Sequence, residues 1–271
     1  MSARLVFSHA NGFGAGTYRV LFEHWRAAGY RVEAVERFGH DPAYPVTSNW
    51  RGLRDQLLDF VAAGGPQPVW LVGHSLGGLL SLLAACRRPE WVHGVVLLDS
   101  PVITGWRAHT VHMFKRSGLI RRVSPGKISQ RRRHEWPDRQ AVLAHFASKP
   151  MFARWDPRVL QDYVDTGFDE ADGQIRLGFR REVETRIYNT LPHHLGPLLR
   201  RHPPRSPVAF IAGTQSSEIR QAGLGASRQL AAERFVWLEG THLYPMERPD
   251  DTARLVLSQL ASMGGLPLPA A

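Results

Sequence analysis

The chain has very little cysteine and no long apolar run. Cys86 is the only cysteine among 271 residues, which excludes an intrachain disulfide and favours a reducing compartment. No apolar stretch reaches the roughly 20 residues that span a bilayer. Residues 1–8 also lack a basic segment followed by a long apolar stretch. We therefore expect a cytoplasmic protein without a transmembrane segment.

The sequence also lacks the motifs that bind phosphates, dinucleotides or metals. The glycine-rich stretch at residues 12–16 has neither the spacing nor the downstream acid of a dinucleotide fingerprint. His193, His194 and His202 have no acidic or cysteine partner at a ligand spacing nearby. The sequence therefore predicts neither an organic cofactor nor a bound metal ion.

Positive charge is concentrated in the middle of the chain. Residues 102–205 hold 20 Lys and Arg against 10 Asp and Glu, whereas the remaining residues hold 14 of each. Arginine pairs and a triplet mark this block at residues 121–122, 131–133, 180–181 and 200–201. The change in composition indicates a domain boundary. A net charge of +10 suits nucleic acid, but we expect no nucleic-acid partner, because the basic residues lie in a helical, aromatic-rich insertion.

Short apolar strands alternate with helices on both sides of this block. Near-continuous apolar strands separated by helices are typical of a parallel sheet covered on both faces. Strands are predicted at residues 5–8, 32–35, 68–72, 94–98, 207–213 and 234–238, and helices near 17–28, 48–63, 78–85, 218–232 and 249–263. We predict an α/β fold whose core comprises residues 1–101 and 206–271, with a helical cap inserted at 102–205. Within the cap, helices are predicted at 139–146, 157–165 and 181–191.

A serine stands at one of the predicted strand-to-helix turns. Residues 73–77 read Gly-His-Ser-Leu-Gly, between an apolar strand and a helix. Glycines on both sides of Ser75 let the backbone turn sharply, which exposes the hydroxyl at the edge of the sheet. The helix that follows directs backbone N–H groups at negative charge near its start. The pattern predicts that Ser75 is a nucleophile.

A serine nucleophile needs a base to take its proton and an acid to orient that base. His242 lies in the loop between the last predicted strand and the last helix, so it follows the carboxyl end of a strand, as Ser75 does. Catalytic groups of open parallel sheets gather at that edge. We predict that His242 is the base. His9 and His74 are expected to be structural, each buried and bonded to backbone.

Three segments together resemble the α/β-hydrolase superfamily, in particular its serine carboxylesterases, lipases and lactonases with a helical cap. They are residues 9–13 after the first strand, residues 73–78 at the turn, and residues 240–249 around His242. They occur in the order of that superfamily and span most of the chain. The resemblance implies an α/β-hydrolase fold: a mostly parallel sheet covered by helices, with an inserted helical cap.

The resemblance also implies an oxyanion site. By matched position, the N–H groups of Asn11 and Leu76 would bind the oxyanion of a tetrahedral intermediate. The first segment reads His-Ala-Asn-Gly where the superfamily has a His-Gly motif, so the N–H of Gly12 or Phe13 is an alternative to that of Asn11.

The acid is the residue on which the chain departs from the superfamily. Where the superfamily usually has an aspartate, after the penultimate strand, this chain has Ser216. Glu218, two residues further along that loop, is one substitute. Asp99, after the strand that follows Ser75, is the other, at a position that some branches use. We prefer Asp99, and both assignments stay open.

The resemblance implies a serine hydrolase that cleaves an ester or thioester through an acyl-enzyme on Ser75, without a cofactor. The cap's basic charge adds the expectation of a hydrophobic acyl substrate with an anionic part or an anionic carrier. The alternatives are a ligand-binding protein of this fold with little turnover, and a C–C bond or lactone hydrolase. Seven aromatic residues are expected to line or pack the cap over an acyl pocket: Trp106, Phe114, Trp136, Phe146, Phe152, Trp155 and Phe168.

Overall fold

The structure, a computed structural model, describes residues 3–105, 108–110, 113 and 126–268. Trp106, Phe114 and the arginine pair at 121–122, which the sequence analysis singled out, lie outside the described residues. None of the helices in the described part of the chain is both long enough and apolar enough to cross a membrane.

Six parallel strands form the main sheet: β1 (Arg4–Ser8), β2 (Arg31–Ala34), β3 (Val69–His74), β4 (Val92–Leu98), β8 (Val208–Gly213) and β9 (Phe235–Leu238). Across the sheet they lie in the order β2-β1-β3-β4-β8-β9. Neighbouring strands are in register at their carboxyl ends: Ser8 is paired with Gly73, and Gly73 with Leu97. The residues that follow these strands therefore meet at one edge of the sheet.

Helices cover both faces of this sheet. Alternate residues of one strand point to opposite faces, so that Leu5 and Phe7 belong to one buried cluster and Val6 to the other. The helices of these layers are α1 (Arg19–Ala27), α2 (Arg51–Ala63), α3 (Leu76–Arg87), α9 (Ser217–Ala222), α10 (Gly225–Ala231), α11 (Tyr244–Glu247) and α12 (Pro249–Ser262). The first cluster includes residues of α1 and α12, and the second includes residues of α2, α3 and α10. The predicted α/β fold, a mostly parallel sheet covered by helices, is confirmed.

Some predicted helices are shortened or divided in the structure. A 3-10 turn over Ala15–Tyr18 precedes α1. Another, over Ser48–Trp50, precedes α2, because Asn49 and Trp50 both have positive φ and interrupt the helix. The helix predicted near 218–232 is two helices, α9 and α10, separated at Gly223, whose φ is 80°.

Residues 126–205, here called the cap segment, contain a small sheet that the sequence analysis did not predict. Strands β5 (Glu135–Trp136), β7 (Gln174–Leu177) and β6 (Phe168–Ala171) are antiparallel and lie in that order. The described part of the insertion is therefore not purely helical. Its helices are α4 (Gly126–Ser129), α5 (Arg139–Ala147), α6 (Pro157–Thr166), α7 (Arg181–Asn189) and α8 (Leu195–Arg201).

Candidate active site

Ser75 stands at a sharp turn between β3 and α3. Its backbone, with φ 53° and ψ −111°, lies in a region that non-glycine residues rarely adopt. A Cβ on Gly77 would lie on the backbone of Ser8 in β1, and a Cβ on Gly73 would lie on the backbone of Gly77. The two glycines therefore let α3 approach the sheet closely enough to form this turn.

His242, in the loop between β9 and α11, contacts two other predicted residues. Its Nε2 is 3.0 Å from Ser75 Oγ, and its Nδ1 is 2.7 Å from Asp99 Oδ2. Asp99 is fully buried, whereas the His242 side chain is 17% exposed. With its proton on Nδ1 and directed at the carboxylate, the ring leaves Nε2 free to accept the Ser75 proton. A hydroxyl, an imidazole and a carboxylate thus form one hydrogen-bonded chain.

Asp99 directly follows β4, and its backbone has a positive φ of 42°. Its Oδ1 accepts the N–H of Gly213 at 2.7 Å, at the end of β8. Its Oδ2 accepts the Ser216 hydroxyl at 2.6 Å, in addition to its contact with His242. A buried carboxylate needs such donors to replace the water that it has lost. Three groups supply them here.

Opposing effects determine the pKa of His242. Burial works to lower it, whereas the hydrogen bond and the negative charge of Asp99, with the charge of Glu218, raise it. The result is a pKa above the usual 6.5. The protonated ring that forms when His242 takes a proton is therefore stabilised. Because only the neutral ring can accept a proton, a reaction that uses His242 as base is expected to slow as the pH falls through this pKa.

Glu218, the second candidate acid, lies near His242 without a hydrogen bond to it. Its Oε2 accepts the Ser217 hydroxyl at 2.9 Å and is 3.4 Å from Ser216 Oγ. One potential ligand atom from each of Asp99, Glu218 and His242 lies within 4.8 Å of the others, so this group could hold a metal ion. In the structure, however, the carboxylate of Asp99 and Nδ1 of His242 are bonded to each other.

The two predicted oxyanion donors come from different segments of the chain. Leu76 is the first residue of α3, and Asn11 lies in the loop after β1. The Asn11 side-chain amide donates to the carbonyl of Glu184 in α7 at 3.1 Å. A Cβ on Gly12, whose φ is 87°, would lie 3.1 Å from the Glu184 carboxylate. The cap segment therefore packs directly on the loop that carries Asn11.

His9 and His74 are buried and bonded to backbone, which confirms the structural expectation. His9 accepts the N–H of Phe38 at 2.9 Å and lies 2.8 Å from the carbonyl of Ala10. Burial lowers its pKa to about 4. His74 lies 2.9 Å from the carbonyl of His242, and burial keeps its pKa well below the usual value. Both rings are therefore neutral near pH 7.

Tyr18 is a residue that the sequence analysis did not single out. Its hydroxyl accepts the N–H of Ala10 at 3.1 Å and lies 2.8 Å from Nδ1 of His74. With neutral His74 accepting at Nδ1 and donating from Nε2, a buried chain of hydrogen bonds runs from the loop after β1 to the backbone of His242. No motif marks Tyr18, because its partners are distant in the sequence.

A cleft of about 700 Å³ adjoins Ser75 and His242. Much of its lining is apolar and comes from both the core and the cap segment: Phe13, Phe146, Met151, Phe152 and Leu243. Of the aromatic residues singled out from the sequence, Phe146 and Phe152 line the cleft. Trp136, Trp155 and Phe168 are buried in the same hydrophobic cluster as Phe146 and Phe152 and do not line the cleft. A volume of about 700 Å³ lies within the range of clefts that bind small organic molecules.

Charged residues also line the cleft, and they differ in their partners. Arg132 is fixed: its guanidinium donates to Glu184 Oε2 at 2.8 Å and to the Tyr163 hydroxyl at 3.1 Å. Lys149 and Arg220 form no ion pair with any residue that the structure describes. These two cations are the ones available to a ligand.

The chain is similar in sequence and in structure to known hydrolases. A model of the family described as "Alpha/beta hydrolase family" matches residues 5–255. The sn-1-specific diacylglycerol lipase ABHD11 of Mus musculus is 24% identical over 241 residues, which cover 86% of this chain and 72% of that protein. The probable esterase PIR7A of Oryza sativa subsp. indica is 39% identical over 98 residues, but these cover only 34% of this chain and 37% of that protein.

The solved structure of E-2-(acetamidomethylene)succinate hydrolase superposes with a TM-score of 0.75 at 20% identity. The match covers 96% of this chain and 91% of that one. At this level of identity the likeness concerns the fold.

Proposed function

The chain belongs to the alpha/beta hydrolase family, and we propose that it is a serine hydrolase that cleaves an ester or thioester through an acyl-enzyme on Ser75. The family and its esterase and lipase relatives support a hydrolytic enzyme. The observation that carries the proposal is the chain of hydrogen bonds from Ser75 through His242 to Asp99. A serine nucleophile needs a base, and the base needs an acid to orient it, in the order that this chain of hydrogen bonds provides.

In the proposed mechanism, Ser75 Oγ attacks the carbonyl carbon while His242 Nε2 takes the hydroxyl proton. The C=O electrons move to the oxygen, and the N–H groups of Asn11 and Leu76 stabilise the resulting oxyanion. The intermediate then collapses, His242 gives its proton to the leaving alkoxide or thiolate, and the acyl group stays on Ser75. Water next attacks the acyl-enzyme, with His242 again as base, and releases the acid and free Ser75. Asp99 stays ionised and orients His242 throughout.

We propose Asp99 rather than Glu218 as the acid. Asp99 lies 2.7 Å from His242 Nδ1 and is fully buried, so its charge acts through little water. Glu218 is exposed and is bonded to Ser217 instead. Its charge still favours protonated His242, but with more solvent screening.

The proposed substrate has a hydrophobic acyl group and an anionic part or carrier. The apolar lining of the cleft supports the first feature. Lys149 and Arg220, which have no ion-pair partner among the described residues, support the second. Arg132 does not serve this role, because Glu184 already neutralises it.

Labelling of Ser75 tests the mechanism. A fluorophosphonate probe is expected to label the wild-type protein and not Ser75→Ala, and the Ser75→Ala protein should lose turnover of p-nitrophenyl esters of every chain length. The length that is hydrolysed fastest then reports the size of the acyl pocket. Unlabelled Ser75 in a folded wild-type protein would contradict the proposal and favour a ligand-binding protein of this fold.

Salt dependence tests the anionic part of the substrate. For an anionic ester, kcat/KM is expected to fall about threefold to tenfold between about 0.02 M and 0.5 M salt, since attraction to the cleft is screened. Lys149→Gln/Arg220→Gln should remove most of this dependence. The matched control, Arg87→Gln/Arg88→Gln, removes the same charge at the far end of α3, roughly 18 Å along the helix from Ser75. Equal behaviour of the two double variants would contradict the proposal.

A further inference from the structure

Ser216 is buried beside the proposed acid. The residue is 1% exposed, and its Oγ lies 2.6 Å from Asp99 Oδ2. The same oxygen accepts the N–H of Ile219 at 3.2 Å, which caps the start of α9. Ser216 therefore connects the first turn of α9 to the carboxylate that contacts His242.

We propose that Ser216 is a positioning residue, which holds the Asp99 carboxylate in the orientation that His242 requires. The inference rests on the proposed function, because it assigns Asp99 the role of acid. A hydroxyl has one proton to donate, and two carboxylates are near it. Asp99 Oδ2 is at 2.6 Å and Glu218 Oε2 at 3.4 Å, so the proton is donated to Asp99.

The direction of the bonds supports this role. The Ile219 N–H donates to Ser216 Oγ, which polarises the hydroxyl and strengthens its own donation to Asp99. On the opposite side, the backbone N–H of Gly213 fixes Oδ1. Apart from His242 itself, each carboxylate oxygen thus has one donor, and together these donors prevent rotation about χ2, so that Oδ2 stays 2.7 Å from Nδ1 of His242. Without Ser216, only one of these two restraints remains.

Two variants test whether the hydroxyl itself is needed. Ser216→Ala removes it, and Ser216→Cys replaces it with a thiol, which is a weak donor on a side chain of the same connectivity. Both are expected to lower kcat about tenfold with KM unchanged within about twofold. Ser81→Ala is the control: it also removes a buried hydroxyl, but one that donates to the Gly77 carbonyl within α3. That control should retain the wild-type kcat.

A double-mutant cycle tests whether Ser216 acts through Asp99. In an Asp99→Asn background, Ser216→Cys is expected to lower kcat by less than about twofold further. An equal tenfold loss in both backgrounds would overturn the inference, since it would indicate a general structural role. The inference would also be overturned if Ser216→Ala and Ser216→Cys were fully active while Ser75→Ala and Asp99→Asn were inactive. That result would leave the proposed function intact. Full activity of Asp99→Asn would overturn this inference and the assignment of Asp99 as the acid, whereas the proposed function would fail only if Ser75→Ala were also fully active.

Discussion

Replacement of Asp99 by asparagine tests the proposed acid most directly, because the structure dictates how the new side chain must sit. The Gly213 N–H, which donates to Oδ1 at 2.7 Å, requires an acceptor at that position. The asparagine oxygen must therefore occupy it, which places the NH₂ group where Oδ2 now faces His242. An NH₂ group donates to Nδ1 and moves the ring proton to Nε2. In that tautomer His242 cannot accept the proton of Ser75.

The expected loss in kcat is about 10³-fold to 10⁴-fold, or roughly 4 to 5.5 kcal/mol of transition-state stabilisation. It combines the wrong tautomer with the loss of a buried negative charge 2.7 Å from the ring that becomes positive. Glu218→Gln is the comparison, with an expected loss of less than about threefold at neutral pH, because Glu218 is exposed and forms no hydrogen bond with His242.

The pH profile adds a second measurement with a definite sign. Both Asp99 and Glu218 raise the pKa of His242, and neutral His242 is the active form. Removal of the Glu218 charge therefore lowers this pKa, so the acid limb of kcat/KM in Glu218→Gln moves to lower pH. The assay is hydrolysis of a p-nitrophenyl ester between about pH 5 and pH 9. If Asp99→Asn lost less than about tenfold, or if the two variants lost activity equally, the assignment of Asp99 would be wrong.

Two further predictions concern stability and are measured by urea denaturation. Glu184→Gln leaves the largely buried guanidinium of Arg132 without its carboxylate partner and is expected to lower the free energy of unfolding by about 3 kcal/mol. A change below about 0.5 kcal/mol would mean that the pair does not contribute to stability. Gly77→Ala places a Cβ on the backbone of Ser8 and should cost more than about 3 kcal/mol. Its control, Gly225→Ala, has open space around the new Cβ at the start of α10 and should be neutral or slightly stabilising.

The location of Ser75 and His242 at one edge of the sheet could be predicted from the sequence, because it depends only on short segments of the chain. Each residue comes directly after a predicted strand, and parallel strands end at a common edge. The choice between Asp99 and Glu218 could not be made in the same way. It depends on the positive φ of Asp99 and on the contact between Asp99, which follows β4, and His242, which follows β9. No local sequence pattern predicts either feature.

The small sheet in the cap segment did carry a local signal. Asp172 and Gly173 both have positive φ, at 54° and 71°, and they join β6 to β7. Asp-Gly is a preferred pair for such a two-residue hairpin turn. The flanking strands are only four residues long and half-exposed, so their hydrophobic alternation was too weak to compete with the helical periodicity on either side. Tyr18 and Ser216, in contrast, gain their roles only from tertiary contacts.

The net charge of the insertion is larger than the positive charge that is available to a substrate. Arg158 in the cap segment lies 2.7 Å from Asp250, and Arg154 lies 3.3 Å from Glu247, and both acids belong to the last two helices of the core. These arginines fasten the cap segment to the core. Core arginines pair with cap acids in the same way, as Arg37 does with a carboxylate of β6 at 2.8 Å. Part of the positive block is therefore structural.

The positive charge that a substrate can contact depends on where each cation lies in the structure rather than on the composition of the insertion. Lys149 comes from the basic block, but Arg220 comes from α9, outside it, and both line the cleft. Arg131 and Arg133 are exposed, yet they are absent from the cleft lining. A field of dispersed surface charges reaches only about one Debye length, roughly 10 Å at 0.1 M salt. If Arg131→Gln/Arg133→Gln lowered the salt dependence more than Lys149→Gln/Arg220→Gln did, the attraction would come from the surface field, and the proposed anion site in the cleft would be wrong.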